Sequence, residues 1–267
     1  MQKTTRAAYG LRSVEDFAAL KSPVHSLAPI SRLLVTLIYI CVVSSYPRYA
    51  LSAILPMALY PVLIFSLTGI PARSIFFKAL PALPFIVLVG LFNPILDKTP
   101  MEIYGVSVAG GWISFAVLAL KGVFAVLAAL LLAATSGMDG VASALRALRV
   151  PRALVLQILL TYRYITVLLG EASRAVTAYS LRAPGHKGIR PKVWGPLAGQ
   201  MLLRTFDRAG RIYNAMLLRG FKGEYITGKD PRLRLRDVFY ILAFCAFFAV
   251  CRFVDIPWLI GAAINKL

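Results

Sequence analysis

The chain is poor in charge, in acid and in metal-binding side chains. Of its 267 residues only 15% are charged, and it holds 11 Asp or Glu, 2 His and 3 Cys. Folded soluble domains carry about 25% charged residues, so a surface that faces water on every side is excluded. Cys41, Cys245 and Cys251 are odd in number and lack C-x-x-C spacing. Neither a disulfide framework nor a zinc site follows, and the three read as small apolar residues. His25 and His186 stand alone in polar flanks, and the apolar runs hold no cluster of His, Asp or Glu. A divalent metal would have no ligand set here, so no bound metal or other cofactor is expected. Met1–Ser22 is polar, with Lys3, Arg6, Arg12 and Lys21. It lacks the short apolar core and small-residue site of a cleaved signal, so the first apolar run is expected to be retained.

Apolar sequence is what the chain has in quantity: 59% hydrophobic residues and a mean hydropathy of +0.73. A bilayer core about 30 Å thick asks for roughly 20 mainly apolar residues per spanning helix. Five runs approach that length: Leu33–Ser45, Ala50–Gly69, Ala79–Phe92, Ile113–Ala134 and Val238–Val254. The second is expected to kink at Pro56 and Pro61. Thr135-Ser136-Gly137 is expected to end the fourth, whose single interruption is Lys121. Asn93–Gly111 reads as a loop or short hairpin, and Trp258 is placed like an interfacial anchor. The fold class is an all-α membrane protein with about five spans and a cytoplasmic set of amphipathic helices. The expected division is 1–30 for a cytoplasmic N-terminal segment and 31–135 for the first four spans. Residues 136–236 form a cytoplasmic helical domain, and 237–267 hold the last span and the C-terminus.

Basic residues outnumber acidic ones by 30 to 11, a formal charge of +19. Between Asp139 and Arg236 there are 18 basic and 5 acidic residues, which places +13 in that block. Such charge can meet nucleic acid or anionic lipid. In a chain this apolar it is the cytoplasmic excess of the positive-inside rule, and no nucleic-acid partner is expected. The N-terminus and the block then lie inside and the C-terminus outside, with Arg48 alone on the wrong side. Within the block, Ala153–Leu169 is only 17 residues long and carries Gln157, Thr161 and Arg163. A charge at mid-bilayer costs at least ~2.5 kcal/mol, so this run is expected to lie at the inner face of the membrane.

Two further helices in the block carry the functional signal. In the first, Leu168, Ala172, Ala175, Tyr179 and Arg182 recur at helical spacing; in the second, Leu202, Phe206, Ala209, Tyr213 and Met216 do so. Each is a face suited to packing on another helix. Arg204, Arg208, Arg211 and Arg219 fall close to one side of the second helix. The plain reading of that row is solvation. A sharper one looks at the ends: Arg182 closes the first helix before Ala183-Pro184 and Arg219 closes the second before Gly220. A cation is favoured at a helix C-terminus, and its planar fork of donors suits a carboxylate or terminal carbonyls on a partner. Between them Ala183–Pro196, with Pro184-Gly185, Gly188, Pro191 and Gly195-Pro196 among His186, Lys187, Arg190 and Lys192, reads as a flexible basic loop. The segment Gly223–Asp230 fits G-x-x-x-x-G-K but has Asp where a phosphate loop needs Ser or Thr. It reads as a turn.

The segment Arg208-Ala209-Gly210-Arg211-Ile212-Tyr213-Asn214-Ala215-Met216-Leu217-Leu218-Arg219-Gly220 resembles the signature of the energy-coupling-factor transporter transmembrane subunit, and within that family the cobalt-transporter subunit CbiQ. Val150-Pro151-Arg152, Tyr162-Arg163-Tyr164, Phe92-Asn93-Pro94 and the His25…Pro29…Arg32-Leu33 approach to the first span are also similar. Members carry an Ala-Arg-Gly-type motif at the end of each of two coupling helices. Leu218-Arg219-Gly220 matches the second with Leu for Ala; Leu181-Arg182-Ala183 keeps only the arginine of the first. Ala28-Pro29 stands where Asp-Pro is usual. The resemblance implies that Leu181, Arg182, Leu218, Arg219 and Gly220 dock two ABC-type ATPase subunits, which bind the ATP and Mg. A separate substrate-binding membrane subunit selects the ion, cobalt or nickel, or a vitamin in more distant members. This chain would then be non-catalytic and sit in the bacterial or archaeal cell membrane. A lipid enzyme would want paired acids or a histidine constellation, and the block's acids are scattered. A basic scaffold would use its arginines interchangeably and with steep salt dependence.

Overall fold

The computed structural model describes residues 17–20, 22–97, 99–103, 106–183, 189–223 and 233–253. Trp258, the 184–188 part of the basic loop with His186, and residues 224–230 of the phosphate-loop near-match lie outside them. The described chain is an all-α membrane protein with one short antiparallel hairpin. It divides into two compact units, residues 17–144 with 231–267, and residues 1–16 with 145–230.

In the first unit, proline and glycine set where helices start, break and stop. Helix α1 (Pro29–Ser44) opens with proline at its first position, where the missing N–H is no loss. The second apolar run is α2 (Leu51–Ile54), a 3-10 turn (Leu55–Ala58) and α3 (Leu59–Thr68). Pro61 has no N–H for the Met57 carbonyl four residues back; the Tyr39 hydroxyl donates to that carbonyl instead, at 3.0 Å. The third run starts earlier than expected, as α4 (Ala72–Ala79), and continues through a 3-10 turn (Leu80–Ala82) around Pro81 into α5 (Leu83–Gly90) and α6 (Phe92–Leu96). The hairpin β1 (Pro100–Ile103) and β2 (Val106–Ala109) then pairs Pro100 with Ala109 and Ile103 with Val106.

Helix α7 (Gly110–Ala147) does not end at Thr135 as its sequence suggests. It breaks at Gly137, with φ 60 and ψ 178, a conformation essentially reserved for glycine, and then resumes. The buried Arg32 guanidinium donates to the Thr135 carbonyl beside the break. Lys121, the one charge inside this span, donates to the Ser44 carbonyl at 3.2 Å and to that of Tyr46. It thereby serves acceptors that α1 leaves open at its C-terminus.

Helix α10 (Leu235–Phe253) lies beside α1 and runs parallel to it. At their starts, buried Asp237 accepts the Ala28 N–H at 2.7 Å and the Arg234 N–H at 2.8 Å. At their ends, the Tyr46 hydroxyl donates to the Cys251 carbonyl at 2.9 Å and Arg252 to the Ser45 carbonyl at 3.3 Å. Tyr39, Tyr60, Phe244 and Phe248 fill the space between, with ring centroids 4.4 Å apart for Tyr39–Tyr60 and 5.3 Å for Tyr60–Phe244. Ala28 and Ala144 share a small core cluster, so α7 leaves this unit at the end where α1 and α10 begin.

The second unit changes one expectation directly. Ala153–Leu169 and the helix expected from Leu168 are a single 31-residue helix, α8 (Arg152–Arg182). No proline interrupts it, and Gly170 is tolerated inside at a cost of about 1 kcal/mol relative to alanine. Four segments among the described residues are long and apolar enough to cross a membrane: Leu51–Thr68, Ala72–Leu96, Gly110–Ala147 and Arg152–Arg182. The sequence reading differs by counting α1 (16 residues) and α10, which carries Arg236, Asp237 and Arg252, and by omitting α8. Helix α9 (Pro191–Leu218) carries Lys192, Arg204, Asp207, Arg208 and Arg211 along its length, at ~2.5 kcal/mol or more each in hydrocarbon.

Asp237→Ala removes the acceptor of two amides at a buried helix start and is expected to cost about 2–4 kcal/mol. Denaturant unfolding in detergent reads this; a loss under about 0.5 kcal/mol would mean that the carboxylate does not tie the two helices.

Candidate functional site

The candidate site is built on α8 and α9 of the second unit. Helix α9 begins at Pro191 after an extended Arg190, the favoured arrangement for proline in a first turn, so residues 191–196 of the expected loop are helical, with Pro196 inside the helix. A single ion pair, Glu171 with Arg208, is formed between the two helices among the described residues. Around it opens a groove of about 580 Å³ whose walls include Gln157, Thr161 and Tyr164 from α8 and Thr205, Ala209 and Met216 from α9. Gln157 and Thr161, two of the three polar residues that counted against a membrane span in Ala153–Leu169, thus face this groove; Arg163 is not among its lining residues.

The arginine row is not uniform. Arg208 is half-buried against Glu171, while Arg204 and Arg211 are exposed. Of the face expected to pack, Ala172, Ala175 and Tyr179 are half-buried on α8, and Ala209 and Met216 line the groove. Phe206 and Tyr213 are 67% and 53% exposed. The stripe that α9 turns to the groove is Thr205, Arg208, Ala209, Ile212 and Met216, which shares Ala209 and Met216 with the expected face and has Thr205 and Ile212 beside Phe206 and Tyr213.

The two arginine-bearing ends differ in backbone, and the difference explains their sequences. At the end of α9, Gly220 has φ +79. Its N–H bonds to the Leu217 carbonyl at 2.9 Å, and the Phe221 N–H bonds back to Met216 at 3.0 Å. This is a Schellman stop, which wants glycine at the left-handed position. At the end of α8, Ala183 has φ −125, and its N–H bonds to Tyr179 at 3.0 Å. No left-handed residue is needed, so alanine fits where the family motif has glycine. Both ends project: Leu181 is 77% exposed and Leu218 91%, with Arg182 and Arg219 exposed beside them. Each arginine lies 11 residues beyond the ion pair, 171 to 182 and 208 to 219, or roughly 16 Å along its helix.

Among the described residues no three His, Cys, Asp or Glu side chains gather into a metal-binding group. His25 takes a structural place: its ring nitrogens bond the Ser22 hydroxyl at 2.7 Å and the Phe17 carbonyl at 3.1 Å. Burial, opposed in part by the Phe17 carbonyl, lowers its proton affinity below the ordinary histidine value. Two links had no local sequence signal. Glu171 is one of several scattered acids until α8 and α9 are placed together. Asp237 supplies the carboxylate beside Ala28-Pro29 from 209 positions away, at the spot where the family usually has its own aspartate.

Over residues 20–228 the chain matches the family described as CbiQ, cobalt transport protein. That stretch takes in more than half of the 267 residues, and the chain belongs to this family. A Ycf92-like protein of Nostoc sp. (strain PCC 7120) is 29% identical over 124 residues, 43% of this chain and 40% of that protein. The chain thus spans well under half of that relative's length.

Gly220→Ala places a side chain in a left-handed residue at a cost of about 1–2 kcal/mol. Amide exchange across 213–221 is expected to quicken accordingly, while Ala183→Gly leaves 176–183 nearly unchanged. Equal effects at the two ends would contradict the difference in their backbones.

Proposed function

We propose that this chain is the transmembrane subunit of an energy-coupling-factor importer for cobalt or nickel ions. In this reading α8 and α9 lie on the cytoplasmic side and their arginine-ended termini dock into two ABC-type ATPase subunits. The observation that carries the proposal is the pair of projecting ends, Leu181-Arg182 and Leu218-Arg219, set at equal distances from one inter-helix ion pair. Family membership supports it. A leucine offers an apolar plug and the neighbouring arginine a charge-assisted fork, so each end combines anchorage with orientation. ATP and Mg would be bound by the partners, and this chain would perform no chemistry. Closure of the ATPases would move the two ends, the helices would act as levers about Glu171–Arg208, and the motion would reach a separate membrane subunit that holds the ion.

Transport assays with the ATPase and substrate-binding chains co-expressed test the docking. Arg182→Ala and Arg219→Ala are expected to lower uptake tenfold or more, as loss of a desolvated arginine anchor costs about 2 kcal/mol or above. Arg190→Ala and Arg204→Ala leave it within about twofold of wild type. Equal losses from all four would favour a scaffold acting by bulk charge.

A lever needs its pivot. Glu171→Arg is expected to uncouple ATP hydrolysis from uptake while the ATPases still co-purify, and the swap Glu171→Arg with Arg208→Glu restores coupling. A swap that rescues nothing removes the pair from the mechanism. The pair is partly exposed, so its effect on stability is small, about 0.5–1 kcal/mol.

A further inference from the structure

In the first unit an apolar groove of about 370 Å³ runs between α4–α5 and α7, lined by Phe76, Phe77, Leu83, Ile86 and Val123. Arg73 is its one charged lining residue. From Arg73 to Ile86 is 13 residues, roughly 20 Å at 1.5 Å per helical residue; half of a 30 Å bilayer core is about 15 Å. The groove therefore has the depth of one leaflet's hydrocarbon. Its charged mouth lies at the end of the unit where α1 and α10 begin. Ile70, just before α4, packs with Ala134, next to the Thr135 carbonyl that Arg32 of α1 contacts. By the charge distribution of the chain that end is the inner one, where anionic lipid is concentrated.

Arg73 is exposed, with its guanidinium 5.6 Å from the centre of the Phe77 ring. The first turn of α4 contains no acidic residue, so no counter-charge comes from its own helix. A cation held over an aromatic ring at the mouth of an apolar, membrane-facing slot is complementary to a single amphiphile with an anionic head. We propose that this groove is a binding site for one anionic phospholipid, with an acyl chain along Phe76, Leu83 and Val123 and its phosphate on Arg73. Guanidinium geometry suits phosphate oxygens. The site owes nothing to the coupling helices, so it stands or falls separately from the transport reading.

The full chain is purified, delipidated in detergent and titrated by native mass spectrometry with phosphatidylglycerol or phosphatidylcholine of the same acyl chains. Wild type is expected to retain one phosphatidylglycerol about fivefold more tightly than phosphatidylcholine, the factor for one basic residue near a lipid surface. Arg73→Gln brings the ratio close to one, while Arg236→Gln, at the same end of the unit, leaves it unchanged. Val123→Trp or Leu83→Trp, whichever keeps the wild-type melting temperature, fills the groove and abolishes retention of both lipids. Glycerol phosphate, a head without a chain, fails to displace the bound lipid. Equal retention of the two lipids by wild type, or an equal loss from Arg236→Gln, would overturn the site. So would displacement by glycerol phosphate, or undiminished binding in the filled variant.

Discussion

A backbone carbonyl or amide left without a partner in hydrocarbon costs several kcal/mol, and this chain interrupts its helices repeatedly. Four of these backbone gaps are answered by a side chain. Tyr39 donates to the Met57 carbonyl that Pro61 cannot serve. Arg32 takes the Thr135 carbonyl beside the break at Gly137. Lys121 meets carbonyls at the end of α1, and Asp237 accepts amides at the starts of α1 and α10. The few polar residues of the apolar bundle are thus spent on closing the backbone. That is a structural reason for ionisable groups among these helices, and it removes the need to read them as an ion pathway.

The same contacts fix the path of the chain. Because α1 and α10 are tied at both ends, they run in the same direction through the first unit. In the second unit the 31-residue α8 is apolar enough to cross a membrane, while α9 carries five charges along its length. Both long helices of the second unit end in exposed Leu-Arg pairs with defined backbone stops. In the proposed function these are the ends on which ATPase partners would dock.

The class of protein was legible in composition and run length, and the interruptions at Pro56, Pro61 and Gly137 lay where proline and glycine predicted them. Lengths were less legible. The run before Gly170 and the helix after it read as two elements, because hydropathy falls along α8 while helical periodicity continues. In the candidate site, Arg182, Arg219 and Gly220 were visible at helix ends, and the left-handed conformation of Gly220 accounts for that glycine. On α9, Ala209 and Met216 of the expected face line the groove, while Phe206 and Tyr213 are exposed. Glu171–Arg208 and Asp237–Ala28 were invisible for a simpler reason: each joins positions whose proximity only the tertiary fold creates.

The proposed orientation, with Ser26, Arg190 and Leu233 on the inner side of the membrane and Pro47 on the outer by the charge distribution of the sequence, is the reading on which the transport proposal depends. Single cysteines at Ser26, Pro47, Arg190 and Leu233, with Cys41, Cys245 and Cys251 replaced by alanine, can be labelled in intact cells with a membrane-impermeant thiol reagent. The expected result is labelling of position 47 alone, with 26, 190 and 233 reacting only after the membrane is opened. Labelling of position 190 from outside, or of 26 and 233 from opposite sides, would contradict it.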